Sequence, residues 1–174
     1  MNKILKGSIL LAQADFHALN VEANAMKACK IIEDNQNKNF DLIIFPEMFL
    51  VGYPIGNVLE RFSCVVKENL KWLNILAQKT TQTKVIIGFV EEENNKYYNS
   101  LAVLSGGKIE AIIRKSDFEN NTIFEDYKII ETKNFKAGVV NCECGYNYRS
   151  FENNFESLET FVFKSSVIFF ANAL

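Results

Sequence analysis

In the first half of the chain, apolar runs of strand length alternate with longer stretches whose apolar residues recur at helical spacing. Residues 4–14, rich in Ile and Leu, predict a first buried strand. In 20–35, Val21, Ala25, Ala28, Cys29, Ile31 and Ile32 fall close to a helical repeat, with Asn20 placed to cap the helix. Residues 41–45, the run Asp-Leu-Ile-Ile-Phe, predict a short strand covered on both faces. A second helix is predicted over 57–79, its stripe formed by Val58, Leu59, Phe62, Val65, Val66, Leu70, Leu73, Leu76 and Ala77. A third strand follows at 84–90. The texture then changes. Runs 97–104 and 108–114 flank Ser105-Gly106-Gly107 and predict a β-hairpin. Runs 129–132 and 136–141 predict a second strand pair turning at Lys133-Asn134, before a helix at 151–164 and a last strand at 166–171. The order β-α-β-α-β, then hairpins, then β-α-β, defines an α/β chain with a mixed sheet carrying helices.

Composition narrows the class. A 174-residue chain with 48% hydrophobic residues can bury its own core, so the whole of 1–174 reads as a single domain and not as a disordered segment. Lys and Arg number 19 against 21 Asp and Glu, a net charge of −2, and no basic excess points to nucleic acid or an anionic membrane. No apolar run has the length of a membrane span, and the short apolar stretch near the N-terminus lacks the cleavage pattern of a signal peptide. These features lead to the expectation of a cytoplasmic protein whose four cysteines, Cys29, Cys64, Cys142 and Cys144, are reduced.

The single histidine, His17, has no companions that favour nucleophilic catalysis and reads as a surface loop residue. Cys142-x-Cys144 is too tight for a zinc clip, so no metal is expected. The Ser105-Gly106-Gly107 turn lacks the spacing of a phosphate loop. Three other residues share an informative position. Glu47, Lys115 and Cys142 each follow a predicted strand, and ligands of open α/β sheets bind beyond the carboxyl ends of strands. Position alone leaves the plainer readings open: solvated charges for the first two, a small buried hydrophobe for the third.

The surrounding residues carry a resemblance. Phe45-Pro46-Glu47-Met48-Phe49-Leu50-Val51-Gly52-Tyr53-Pro54 resembles the first signature of the carbon–nitrogen hydrolase (nitrilase) superfamily. The continuation through Gly52-Tyr53-Pro54 to Asn57-Val58-Leu59-Glu60-Arg61 looks most like the glutaminase domain of glutamine-dependent NAD synthetases. Gly88-Phe89-Val90-Glu91 with Tyr98-Asn99 is similar to the family's G-x-x-E and Y-N. Arg114-Lys115 with Phe118, Asn120, Phe124 and Glu125 resembles its lysine motif, and Gly138-Val139-Val140-Asn141-Cys142-Glu143 its cysteine motif. There are departures: Phe118-Glu119 stands where Leu-Pro is usual, Asn121 where an aromatic is expected, and Cys144 where an aspartate is expected.

The resemblance implies an αββα sandwich, with the second sheet expected to be incomplete because the chain stops at Leu174. It implies Glu47 as general base, Cys142 as nucleophile and Lys115 as stabiliser of the tetrahedral intermediate. Glu91 matches an auxiliary glutamate that orients the lysine, although in Glu91-Glu92-Glu93 a solvated turn is the plainer reading. The N–H of Glu143 is the expected oxyanion donor. The reaction implied is hydrolysis of a small carboxamide, glutamine among the options, through a thioester and without a cofactor. Two other readings stand beside it: a glutaminase part passing ammonia to a separate NAD synthetase, and a truncated, weakly catalytic relative acting as an interaction module. Strands left under-covered by the early stop also lead to the expectation of a homo-oligomer.

Overall fold

The computed structural model describes residues 7–52, 63–94, 96–114, 127–141, 159–162 and 167–172. The first sheet runs in the order β1 (Ile9–Leu11), β2 (Leu42–Ile44), β3 (Lys84–Glu93), β4 (Lys96–Ser105) and β5 (Lys108–Arg114). Strands β1, β2 and β3 are mutually parallel, and β3, β4 and β5 are antiparallel. The parallel pairs are joined by α1 (Val21–Asn35) and α2 (Ser63–Gln78), the long crossovers that parallel pairing requires. The second sheet, β6 (Tyr127–Glu131), β7 (Lys136–Asn141), β9 (Val167–Asn172) and β8 (Glu159–Val162), is antiparallel in each of its pairings.

Alternation along the central strands explains the layering. Ile43 and Phe45, Val85 and Ile87, and Ala102 pack with Ala25, Ala28, Ile32, Leu73 and Leu76 under the two helices. The intervening Leu42, Ile44, Ile86, Leu101 and Val103 pack with Ile130, Ala137 and Val139 of the second sheet. Central strands of the first sheet are therefore apolar on both faces, and β2 reads as a continuous run for that reason. No helix among the described residues is long and apolar enough to cross a membrane.

Local chemistry sets the boundaries. Asn20 caps α1 by accepting the Ala23 N–H at 3.1 Å. The β4–β5 hairpin closes through Gly106 and Gly107, both at positive φ, which a tight hairpin turn demands. The β6–β7 turn is held by the Thr132 hydroxyl oxygen, which accepts the N–H groups of Asn134 and Phe135. Asn134 reaches across to the first sheet, donating from Nδ2 to both carboxylate oxygens of Asp41 at 2.9 and 3.0 Å. Asp41 also accepts the Ser8 N–H at 2.9 Å.

Buried Asn24 of α1 joins two loops. Its amide donates to the carbonyls of His17 and Leu50 and its oxygen accepts the His17 N–H. Replacing it by alanine would remove its bonds to the Leu50 carbonyl and the His17 N–H, leaving the His17 carbonyl with the Asn20 N–H alone. Asn24→Ala is expected to destabilise the fold by about 1–3 kcal/mol, read as a lowered urea midpoint.

The elements follow the sequence expectation in order, with one correction. Residues 159–162, placed within the expected helix 151–164, form strand β8 and pair with β9. Thr160, Phe161 and Val162 are β-branched or aromatic, and cross-strand pairing outweighed a weak helical repeat. Residues 53–62, within the expected second helix, lie outside the described residues, and α2 is described from Ser63.

Candidate active site

Glu47 sits just past the end of β2, half-buried, on a loop that continues β2's pairing with β3. The Phe45 N–H donates to the Ile86 carbonyl at 2.8 Å, the Gly88 N–H to Pro46 at 3.3 Å, and the Leu50 N–H to Gly88 at 3.1 Å. The loop then closes on itself through the Gly52 N–H and the Met48 carbonyl at 2.7 Å. Met48, buried, adopts a φ of 55°, a left-handed conformation that a non-glycine residue holds only when its surroundings impose it. Gly88 supplies part of that constraint. A Cβ there would lie 2.2 Å from the Met48 nitrogen, 2.6 Å from the Pro46 oxygen and 2.7 Å from the Glu47 carbonyl carbon. The backbone bearing the glutamate is thus pressed directly onto the β3 backbone.

The carboxylate is gripped from β4. Asn99 Nδ2 donates to Glu47 Oε1 at 2.5 Å. Asn99 belongs to the Tyr98-Asn99 motif, and nothing local marks its contact with a residue 52 positions away.

Glu91, at the far end of β3, holds a different set of partners. It accepts Arg114 Nε at 2.8 Å and Nη2 at 2.7 Å, a fork-to-carboxylate pair, and the Ser100 hydroxyl at 2.9 Å. Arg114 also pairs with Glu93 at 2.9 Å and lies 4.1 Å over the Tyr98 ring. The Arg114 guanidinium holds the Glu91 carboxyl below the usual carboxylate range, against the opposing effect of burial. The solvated-turn reading of the three glutamates is therefore corrected: all three lie in β3, and two of them grip Arg114.

Consecutive residues of a strand point to opposite faces. Ser100 shares its face of β4 with Ala102 on the helix side, and Asn99 shares the other with Leu101 between the sheets. Tyr98, Asn99 and Ser100 thus serve two carboxylates from alternate faces: Asn99 holds Glu47, while Tyr98 and Ser100 frame the Glu91–Arg114 pair.

Strand directions bring two chain segments to one edge. Strand β5 is antiparallel to β4, which is antiparallel to β3, so β5 runs with β2 and β3 and ends on the Glu47 side. Its last residue, Arg114, immediately precedes Lys115 in sequence. Strand β7 begins near the start of β2, where Asn134 meets Asp41. Its Ala137 and Val139 join the same buried cluster as Leu42 and Ile44. Its last residue, Asn141, immediately precedes Cys142 in sequence. Lys115, Cys142 and Glu143 lie outside the described residues.

The remaining candidates have plain roles. His17 is exposed and takes part through its backbone. Cys29 and Cys64 are free thiols, and burial pushes the Cys29 thiol up from its ordinary value. Among the described residues no group of three His, Cys, Asp or Glu side chains gathers to hold a metal ion.

This edge of the sandwich, with an acid fixed just past a buried parallel strand, places the protein in a recognisable class. Residues 9–148 match the carbon-nitrogen hydrolase family, and the chain belongs to that family. It is 31% identical over 150 residues to the glutamine-dependent NAD(+) synthetase of Thermotoga maritima, an alignment covering 80% of this chain and 26% of that protein. The fold is similar to that of the glutamine-dependent NAD+ synthetase of Acinetobacter baumannii, with a TM-score of 0.69, 24% identity, and 84% of this chain and 29% of the other covered. It is also similar to an amidase from Nesterenkonia sp. AN1, with a TM-score of 0.59, 13% identity, and 75% and 55% covered. That amidase was captured with acrylamide added at its active site cysteine. The chain thus spans about a quarter of the length of the synthetases it matches. These likenesses establish the nitrilase-like α/β architecture expected from the motifs.

Proposed function

We propose that this chain is a cysteine-dependent amidohydrolase that cleaves the carbon–nitrogen bond of a small carboxamide, with glutamine the first candidate. The observation that carries the reading is the common edge. Glu47 is held there by Asn99, and the strand that precedes Lys115 ends on the same side; the strand that precedes Cys142 packs in the second sheet against the first. The synthetase relatives supply the choice of glutamine.

In this reading Glu47 takes the Cys142 thiol proton. A cysteine has a pKa near 8.5 and is mostly protonated at neutral pH, so a positioned carboxylate replaces the histidine used elsewhere. The thiolate sulfur bonds to the amide carbon, and the carbonyl π electrons move to oxygen. Lys115 and the Glu143 N–H stabilise that oxyanion, each donor contributing about 2.7–4 kcal/mol in enzymes where this has been measured. The carbonyl re-forms as the C–N bond breaks. The leaving nitrogen takes the proton from Glu47, and ammonia departs from a thioester. Glu47 then deprotonates a water molecule, which attacks the thioester, and the carboxylic acid and free thiol are released.

The relatives also favour a second reading of the same chemistry, in which the ammonia is passed to a separate NAD synthetase. Ammonia release from glutamine and a panel of small carboxamides, measured for the wild type and Cys142→Ala, tests the proposal. Release should fall at least a thousandfold in the variant. Equal release by the two proteins would overturn the nucleophile assignment. Absence of release from every carboxamide by the wild type would favour a non-catalytic interaction module.

A further inference from the structure

We propose that Asn69 of α2 is a positioning residue for the Glu47–Asn99 pair. Its buried amide stands in for a neighbouring strand at the end of β3, and so fixes the part of β4 from which Asn99 holds the carboxylate. The proposal rests on the reading of Glu47 as general base.

Strand β3 outruns its neighbour. Strand β2 ends at Ile44, whereas β3 continues to Glu93, and buried backbone groups beyond that end still need partners. Ile86, Gly88 and Val90 present theirs to the β2 side in turn. The Phe45 N–H donates to the Ile86 carbonyl, and the loop around Glu47 takes both groups of Gly88. By Val90 the loop has closed on itself through Gly52 and Met48, and a side chain takes over. Asn69 Nδ2 donates to the Val90 carbonyl at 2.6 Å, and Asn69 Oδ1 accepts the Val90 N–H at 3.4 Å. A primary amide offers a donor and an acceptor side by side, the same pair that a strand backbone would present. Asn69 and Val90 are both buried, so bulk water cannot take the place of that amide.

The residue that Asn69 fixes lies beside the base. Val90 and Asn99 are direct partners in the β3–β4 register. The N–H and C=O of one strand residue point to the same side, and those of Val90 point to Asn69, away from β4. Val90 and Asn99 therefore form a non-hydrogen-bonded pair, the closer type in antiparallel sheets, with Cα atoms about 4.5 Å apart and side chains on one face. Asn99 in turn donates to Glu47 Oε1. Val90 also belongs to the buried cluster that contains Met48 and Val51, which follow Glu47 in its loop. A shift of Val90 thus reaches Glu47 by two routes, through Asn99 and through the loop. Asn134, which ties the sheets together at the opposite end by its bonds to Asp41, lies on neither route.

Wild type, Asn69→Ala and Asn69→Asp are compared, with Asn134→Ala as the control. Asn69→Asp keeps the shape and an acceptor for the Val90 N–H, but an aspartate carboxylate donates nothing to the Val90 carbonyl. Circular dichroism and thermal unfolding establish the folded fraction, and ammonia release gives kcat and KM. A second readout needs no turnover: the Asn99 side-chain amide resonance in a proton–nitrogen NMR correlation spectrum, assigned by its loss in Asn99→Ala, reports the bond to Glu47. Both Asn69 variants should lower kcat about tenfold per folded molecule with KM about unchanged, a displacement smaller than the roughly 1 Å that costs about a hundredfold. Both should also move the Asn99 resonance. Asn134→Ala should unfold at a lower temperature and leave kcat and the resonance at their wild-type values. Folded Asn69 variants with wild-type kcat and an unmoved Asn99 resonance would overturn the proposal. An equal change of kcat and resonance in Asn134→Ala would also overturn it, by showing a general loosening of the fold. A wild type without amidase turnover whose Asn99 resonance still moves in the Asn69 variants would retain the positioning role and remove the proposed reaction.

Discussion

Gly88→Ala is expected to lower ammonia release by about a hundredfold, although the change adds one methyl group. That methyl would sit 2.2 Å from the Met48 nitrogen and within 2.7 Å of the Pro46 oxygen and the Glu47 carbonyl carbon. All three are backbone atoms, so no side-chain rotation relieves the overlap. The loop has to lift off β3, which breaks the Gly88–Pro46 and Leu50–Gly88 hydrogen bonds and carries Glu47 with it. A displacement near 1 Å is enough to cost about 10²-fold in a reaction that depends on the alignment of a base with its proton. The core beneath is made of other residues, so a folded protein with reduced stability and a disproportionate loss of kcat is expected. Thermal unfolding alongside kinetics checks this. Wild-type turnover in a folded Gly88→Ala variant would show that the close approach of the two backbones does not position the base.

Glu47→Gln should have a larger effect. The amide keeps the shape and can still hydrogen-bond with Asn99 after rotation, so the fold should be retained, but it cannot accept a proton. Loss of a general base costs about 10²–10⁴-fold, and here the same group is asked to act in both half-reactions. A fall in kcat of about 10³-fold or more, with thermal stability close to wild type, is the expected outcome. Asn99→Ala, which removes the grip on Oε1, should lose about tenfold or more, the scale of one hydrogen bond to a charged group. A Glu47→Gln protein with activity above a tenth of wild type would remove the glutamate from its assigned role.

The parts of this arrangement that could be read in the sequence are those with a local cause. Asn20 is a cap because its oxygen reaches a nitrogen three residues on, and Gly106-Gly107 makes a hairpin because two adjacent positive-φ residues fit no other element. Glu47 stood out because Pro46 stops a strand whose apolar run is unbroken, leaving the acid at the strand's exit. What could not be read are the lateral partnerships. Arg114 meets Glu91 across β4, and Asn99 meets Glu47 from 52 residues away, contacts fixed by strand order and register and not by spacing. The three adjacent glutamates were ambiguous for the same reason: alone they resemble a solvated turn, and only the neighbouring strand supplies the arginine that organises two of them. Strand β8 was hidden because Glu159–Val162 is too short to show a period of its own and takes its form from β9. Asn24 has no local mark of its role, which comes from the carbonyls of His17 and Leu50 converging on it.

The claim on which the functional reading stands is that Glu47 activates Cys142 to form a thioester. Acid-quenched peptide mapping by mass spectrometry during turnover of a carboxamide tests it most directly. The peptide containing Cys142 should gain the mass of the acyl group, that is, the substrate less ammonia. The gain should disappear in Cys142→Ala and fall to trace level in Glu47→Gln. An acyl adduct on Cys29, Cys64 or Cys144, or one that forms on Cys142 equally well in Glu47→Gln, would contradict the account.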